Sequence, residues 1–147
     1  MLTRNNETII IKNNHQEEWY VVDATNKKLG RLTSQIAYIL RGKNKTKYLE
    51  YTLNNTKIII INSRNIIVTG KKNKQKTYKR HSGRPGSLKT ESFETLNKRA
   101  PNKIIEKAIK GMLPKNSLGR QLFKQVKVYE DSKHPHRSQK PIFLDIN

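Results

Sequence analysis

The residues of this chain that could do chemistry are mostly cationic, and they are densest from Lys71 to Gly86, K-K-N-K-Q-K-T-Y-K-R-H-S-G-R-P-G. Lys71, Lys72, Lys74, Lys76, Lys79, Arg80 and Arg84 stand there with His81, Ser82 and Tyr78, and no acid interrupts them. Like charges at this density repel one another unless an anionic polymer supplies counter-charge, and phosphates are the commonest such polymer in a cell. Pro85 between Gly83 and Gly86 marks a turn, so the stretch reads as a hairpin arm displaying its cations along two strands. A charge run in an arbitrary protein is more often a solvated loop, but here the whole chain shares the bias. A second cluster, Arg41, Lys43, Lys45, Lys47 and Tyr48, follows a helical pattern. Its cations either contact RNA or complement a helix C-terminus. Tyr48 and Tyr78 either stack on bases or cover a sheet edge.

Other chemistries find less support. His134 and His136 flank Pro135, yet a metal needs three or four ligands and only the distant His81 and Asp131 could join them. Between Lys133 and Arg137, the two histidines and Arg137 fit contact with phosphate or ribose better. Nuclease chemistry needs clustered carboxylates, and the acids here are scattered beside bases. The loop after Asp23, T-N-K-K-L-G-R, has one glycine and neither nucleotide-binding glycine pattern. Gly30 then reads as permitting close helix-to-sheet packing, and Asp23 as a partner for loop amides. No enzyme and no cofactor are expected.

Composition sets the frame. The 147 residues carry 31 Lys and Arg against 11 Asp and Glu, a net charge of +20 that exceeds what solubility requires. A polyanionic partner is implied, and the length suits one domain. No run approaches about 18 apolar residues, so no membrane partner is expected. Without cysteine, neither disulfides nor the usual zinc folds can form. Aromatic residues make up only 7%, which favours backbone and shape recognition over broad base stacking. Frequent Lys, Asn and Ile, all A/T-rich codons, point to an A/T-rich genome such as an organelle's.

The elements that must position these residues follow from periodicity. Residues 1–18 read as a polar N-terminal arm; with Glu7, Glu17, Glu18 and a single arginine it resembles neither a secretory signal nor a transit peptide. Trp19 to Ala24 is an apolar run that fits a central strand buried on both faces. Leu32, Ile36, Ile39 and Leu40 recur at helical spacing from Leu29, with Gly42 placed to cap the C-terminus. Lys57 to Asn62 is a second buried strand, and strand, helix, strand calls for a right-handed parallel crossover. Ser92 can cap a short helix carrying Phe93 and Leu96. Pro101 opens another that buries Ile104, Ile105, Ala108, Ile109 and Met112, ending before Pro114. Ser117 can cap a turn or two with Leu118, Leu122 and Phe123 inward, and Val126 to Tyr129 returns to strand. From Asp131 the tail reads as extended, and no internal repeat is present.

The fold class expected is α/β: a three-layer αβα single domain with a mostly parallel central sheet over residues 19–130, plus a basic β-hairpin arm at 71–91 and extended termini, the last being residues 131–147.

The ordered motifs resemble those of the thirteenth large-subunit ribosomal protein family: W-Y-V-V-D-A from Trp19, L-G-R-L from Leu29, R-G-K from Arg41, V-T-G-K from Val68 and H-S-G from His81. K-G-M-L-P-K from Lys110, L-G-R from Leu118, K-V-Y from Lys127 and P-H-R-S-Q-K-P from Pro135 complete the likeness. The resemblance implies a non-enzymatic protein bound to large-subunit ribosomal RNA, supporting early assembly and translation, without a cofactor. It carries RNA-facing roles onto Lys43 to Lys47, Arg80, His81, Ser82, Arg84, Lys115, Arg120, His134 and His136. Neighbouring large-subunit proteins are the other partners; no small-molecule substrate and no homo-oligomer are expected. Where the family has an Asp-Thr-Gly-Asp turn, this chain has Leu53-Asn54-Asn55-Thr56, in which Asn can replace glycine by adopting a left-handed conformation. The G-R-P-G turn resembles plastid members, which implies a plastid, organelle-encoded protein; an A/T-rich bacterium is the alternative. A free assembly factor or RNA-processing enzyme is the competing function, and co-sedimentation with subunits separates the two. A DNA-binding architectural protein, preferring duplex DNA to structured RNA, is a third possibility.

Overall fold

Two adjacent parallel strands form the centre of the computed structural model, which describes residues 17–46 and 48–146. β1 (Glu18–Asp23) and β2 (Thr56–Ile61) pair in register from Glu18↔Thr56 to Asp23↔Ile61. Between them runs α1 (Leu29–Leu40), whose Leu29, Leu32, Thr33, Ile36, Ala37 and Leu40 are buried. The β-branched run of β2 suits a strand with neighbours on both sides, and Ile58, Ile59 and Ile60 are wholly buried. α1 ends in a Schellman arrangement: Gly42, at φ +75°, donates to Ile39 O at 2.9 Å, and Lys43 N donates to Tyr38 O at 3.2 Å.

After α2 (Lys72–Gln75), β3 (Thr77–Arg80) and β4 (Lys89–Ser92) form a separate antiparallel hairpin. α3 (Phe93–Arg99) is capped by Ser92, whose hydroxyl accepts from Thr95 N at 3.2 Å. α4 (Pro101–Met112) starts on its proline and buries Ile104, Ile105 and Ile109. α5 (Ser117–Lys124) is capped by Asn116, not Ser117: the Asn116 Oδ1 accepts from Gly119 N at 2.8 Å. A Cβ on Gly119 would overlap the Pro114 carbonyl, so α5 can approach that loop only through a glycine. β5 (Val126–Val128) and β6 (Ile142–Phe143) complete a four-stranded, all-parallel sheet in the order β5-β2-β1-β6.

One apolar cluster joins Val22, Ile58 and Ile60 of the sheet to Leu32, Ile36 and Leu40 of α1, Ile104, Ile105 and Ile109 of α4, and Leu122 of α5. Side chains alternate along a strand, so Val21 and Ile59 are buried on the opposite face. β5 and β6 lie at opposite sheet edges, so the chain between them must cross the sheet. The contact of His136 with Trp19, centroids 5.1 Å apart, puts that crossing on the Val21 and Ile59 side. This crossing segment supplies the layer opposite the helices.

Four expectations are corrected. The C-terminal segment is not merely an extended tail: β6 pairs with β1, Leu144 N donates to Val21 O at 2.8 Å, and Ile146 is buried in the helix cluster. Met112, expected inside, is 43% exposed, because it borders the two open clefts beside α1 while the neighbouring Leu113 takes the buried position. Gly30 is exposed and a Cβ there would meet nothing, so close packing does not require it. Asn54 and Asn55 are not left-handed; instead the buried Asn54 side chain donates to Ile39 O (3.2 Å), Leu40 O (3.4 Å) and Thr56 Oγ1 (2.8 Å), closing the end of α1. Of the 1–18 arm, residues 1–16 lie outside the described residues, while Glu18 opens β1.

Candidate nucleic-acid interface

The basic stretch divides into two local structures. Lys71 and α2 form a helical turn, so Lys72 and Lys74 lie on a helix and not along a strand as expected. The hairpin strands begin at Thr77, where Thr and Tyr favour extended backbone. In the register Thr77↔Ser92, Tyr78↔Glu91, Lys79↔Thr90 and Arg80↔Lys89, Tyr78 lies on the face turned to the core. Its ring is half-buried beneath two ammonium groups, Lys107 Nζ at 5.0 Å and Lys76 Nζ at 5.6 Å from the centroid. Burial raises the Tyr78 hydroxyl above its ordinary value. Tyr78 thus anchors the neck of the arm against the core.

Beyond the neck every side chain from Lys79 to Gly86 is exposed. The loop is held by its own bonds: Ser87 N donates to Arg84 O at 3.2 Å across Pro85 and Gly86, with Gly86 at φ +71°. Proline second and a left-handed glycine third make a type II turn. Ser87 Oγ also donates to Arg84 O at 2.6 Å, and His81 Nδ1 accepts from Gly83 N at 2.9 Å. Arg84 is therefore carried on a defined turn, and Arg80, His81 and Ser82 stand at its base. Lys71, Lys72, Lys74, Lys79, Arg80 and Arg84 pair with no carboxylate among the described residues. The one acid on the hairpin, Glu91, is bound by Arg99 at 2.7 Å.

The second cluster is partly structural. Arg41 Nη2 donates to Tyr48 Oη at 3.2 Å, which ties the two side chains together and leaves the other guanidinium N–H groups of Arg41 for the cleft it lines. Lys45 Nζ is 2.8 Å from Glu18, tying the loop to β1, so its charge is already matched. Lys43 is exposed and pairs with no carboxylate among the described residues, and Lys47 lies outside them. Lys28 and Arg31, which sequence reasoning missed, line with Lys72 and Lys76 a cleft at the start of α1. A second cleft holding Arg41 and Lys43 meets the first at Met112, so a basic groove follows α1 from one end to the other. The charges of Lys28 and Arg31 were visible in the chain, but only the cleft they share with Lys72 and Lys76 joins them to the arm.

His134 and His136 are half-buried on the crossing segment. His136 shares a 2.9 Å hydrogen bond between Nε2 and Tyr129 Oη, packs on Trp19, and stacks with His134 at 6.4 Å. Burial, then His134 and Lys127, holds its imidazole below the ordinary histidine value. Asp23 behaves as expected: partial burial raises its carboxyl, but bonds from Thr25 and Asn62 outweigh this and leave it lowered. Lys115 and Arg120 are exposed at the α4 to α5 junction, and Arg137 is exposed on the crossing segment.

A hairpin of unmatched cations leading into a basic groove is a surface for a polyanion, and the comparisons with known proteins say which kind of protein carries it. Residues 17–135 match the family described as ribosomal protein L13. The chain belongs to the ribosomal protein L13 family. It is 59% identical over 131 residues to the large ribosomal subunit protein uL13 of Gloeothece citriformis (strain PCC 7424), covering 89% of this chain and 87% of that one. The uL13 of Trichormus variabilis (strain ATCC 29413 / PCC 7937) is 57% identical over 132 residues, covering 90% and 87%. The large ribosomal subunit protein uL13c of Gracilaria tenuistipitata var. liui is 56% identical over 136 residues, covering 92% and 95%. The family match takes in α1, the hairpin and both basic clefts along α1, so every element of the L13 chain that shapes this surface lies inside it.

Proposed function

We propose that this L13 family member is a structural, non-enzymatic constituent of the large ribosomal subunit that grips large-subunit ribosomal RNA with its hairpin arm and the basic groove along α1. The observation that carries this reading is the arm itself: six exposed cations of residues 71–84 lack carboxylate partners among the described residues, while Tyr78 and the type II turn hold their backbone in place. Such an arm costs the isolated protein repulsion and gains only when phosphates displace its counter-ions. Arg80, His81, Ser82 and Arg84 supply donors at the tip, and Lys71, Lys72, Lys74 and Lys79 supply charge along the neck. Bound this way the chain supports assembly and translation beside other large-subunit proteins. The A/T-rich composition supports a plastid ribosome, and a uL13c at 56% identity stands beside bacterial uL13 proteins at up to 59% among its relatives.

The test replaces Arg80, His81 and Arg84 together with alanine. All three are exposed, so the melting temperature of the isolated protein should stay near that of the parent while incorporation into large subunits falls. Arg84→Lys should lie between parent and Arg84→Ala, since lysine offers a point charge where arginine can bond in two places. Normal folding with normal incorporation would remove the arm from the RNA interface.

A further inference from the structure

The junction of α4 and α5 carries a second kind of surface, a cleft of about 460 Å³ with an apolar floor. Leu113, Pro114 and the ring of Phe123 line it, and Gly119 lies in the wall because nothing larger fits beside the Pro114 carbonyl. Phe123 is half-buried: it packs against the core and also borders the cleft. Around the floor stand Lys110, Lys115, Arg120 and Lys124, all exposed and none paired with a carboxylate among the described residues. Arg120 and Lys124 are four apart on α5, a like-charge spacing that disfavours the helix unless an anion sits between them.

We infer that this cleft receives one unstacked nucleotide of the bound ribosomal RNA, its base against Phe123 and its flanking phosphates between Arg120, Lys124 and Lys115. Charge complementarity selects the occupant. A purely apolar peptide would leave the rim uncompensated and a bare phosphate would leave the floor empty, whereas a nucleotide presents a flat apolar ring joined to an anion. Single-stranded elements of RNA offer such bases, splayed from the stack at loops and bulges. The inference rests on the ribosomal RNA reading above and adds a contact that reads RNA shape, about which the hairpin's phosphate contacts are indifferent.

Three measurements test it on the full chain bound to a complete large-subunit ribosomal RNA transcript. Short-wave ultraviolet crosslinking of the unsubstituted complex should place a nucleotide adduct on Phe123. Phe123→Leu, which keeps an apolar side chain but removes the ring, should retain the parent melting temperature and bind the transcript about 5- to 150-fold more weakly. Arg120→Ala with Lys124→Ala, at exposed positions, should weaken binding and abolish the adduct even if Phe123→Leu proves unstable. An unchanged affinity in a folded Phe123→Leu, or adducts confined to other peptides, overturns the inference. So does a crosslink joining Phe123 to a protein chain in assembled subunits, which would make the cleft a protein-docking site. If the hairpin variants still lose RNA binding in those cases, only the cleft is refuted; if no variant loses it, the ribosomal RNA reading falls too.

Discussion

Asn54 fastens the end of α1 to the start of β2 by donating to two helix carbonyls and to Thr56, and its own carbonyl accepts from Gln125 Nε2 at 2.8 Å. Asn54→Ala strands buried carbonyls and should cost about 1 to 3 kcal/mol in denaturant unfolding. No loss would show that water replaces the amide. A Cβ at Gly42 would come within 3.3 Å of the Asn54 side chain, so the two residues are a matched pair. His136 makes a pH-dependent contribution of definite sign. Its folded value is lowered by burial, so the folded state favours the neutral ring. Stability from this residue is complete above about pH 6.5, the unfolded value, and is lost as pH falls through the lower folded value. Denaturation at successive pH values should show that loss in the parent and a flatter response in His136→Gln. The charge of His136 was legible in the chain, but its partners Trp19 and Tyr129 are far away in sequence.

Among the elements, α4 separates what periodicity can tell from what it cannot. Ile104, Ile105 and Ile109 share a helical face and are wholly buried, so Ile105→Ala should cost about 2 to 5 kcal/mol. Met112 continues the same face but emerges from cover, so Met112→Ala should stay within about 0.5 kcal/mol. Thermal unfolding of the pair checks both, and equal losses would contradict the burial. A repeat marks the inward face of a helix, yet how far the neighbouring elements extend along it depends on their own lengths. The hairpin teaches the same lesson: its turn was announced by Arg84-Pro85-Gly86, while the helical turn at Lys72–Gln75 has no signal above its lysines.

At the scale of the molecule, six of the eleven acids are held in internal ion pairs. Glu17, Glu18, Glu91, Glu94, Glu130 and Asp145 all sit in ion pairs, with Lys57, Lys45, Arg99, Lys98, Arg64 and Lys27. The excess of +20 leaves many cations with no carboxylate partner among the described residues. If about 6 to 10 phosphates are neutralised, raising salt from about 50 to 200 mM should weaken binding to large-subunit ribosomal RNA by roughly 10³ to 10⁵. Filter binding across that range checks it, and a nearly flat response would mean that base contacts dominate instead.

The chain by itself determined the class of partner, the parallel β1-α1-β2 unit, the main helical faces and the hairpin turn. These rest on net charge, periodicity and turn chemistry, which act between residues close in sequence. Only the tertiary structure decided that the C-terminal segment crosses the sheet to become β6, that Lys45, Tyr78 and His136 serve the fold, and that Lys28 and Arg31 join the basic groove. Each of those outcomes depends on which distant backbone comes to lie beside a side chain. A local pattern carries the chemistry a residue can do, and the packed neighbours settle whether that chemistry is turned inward or left for RNA.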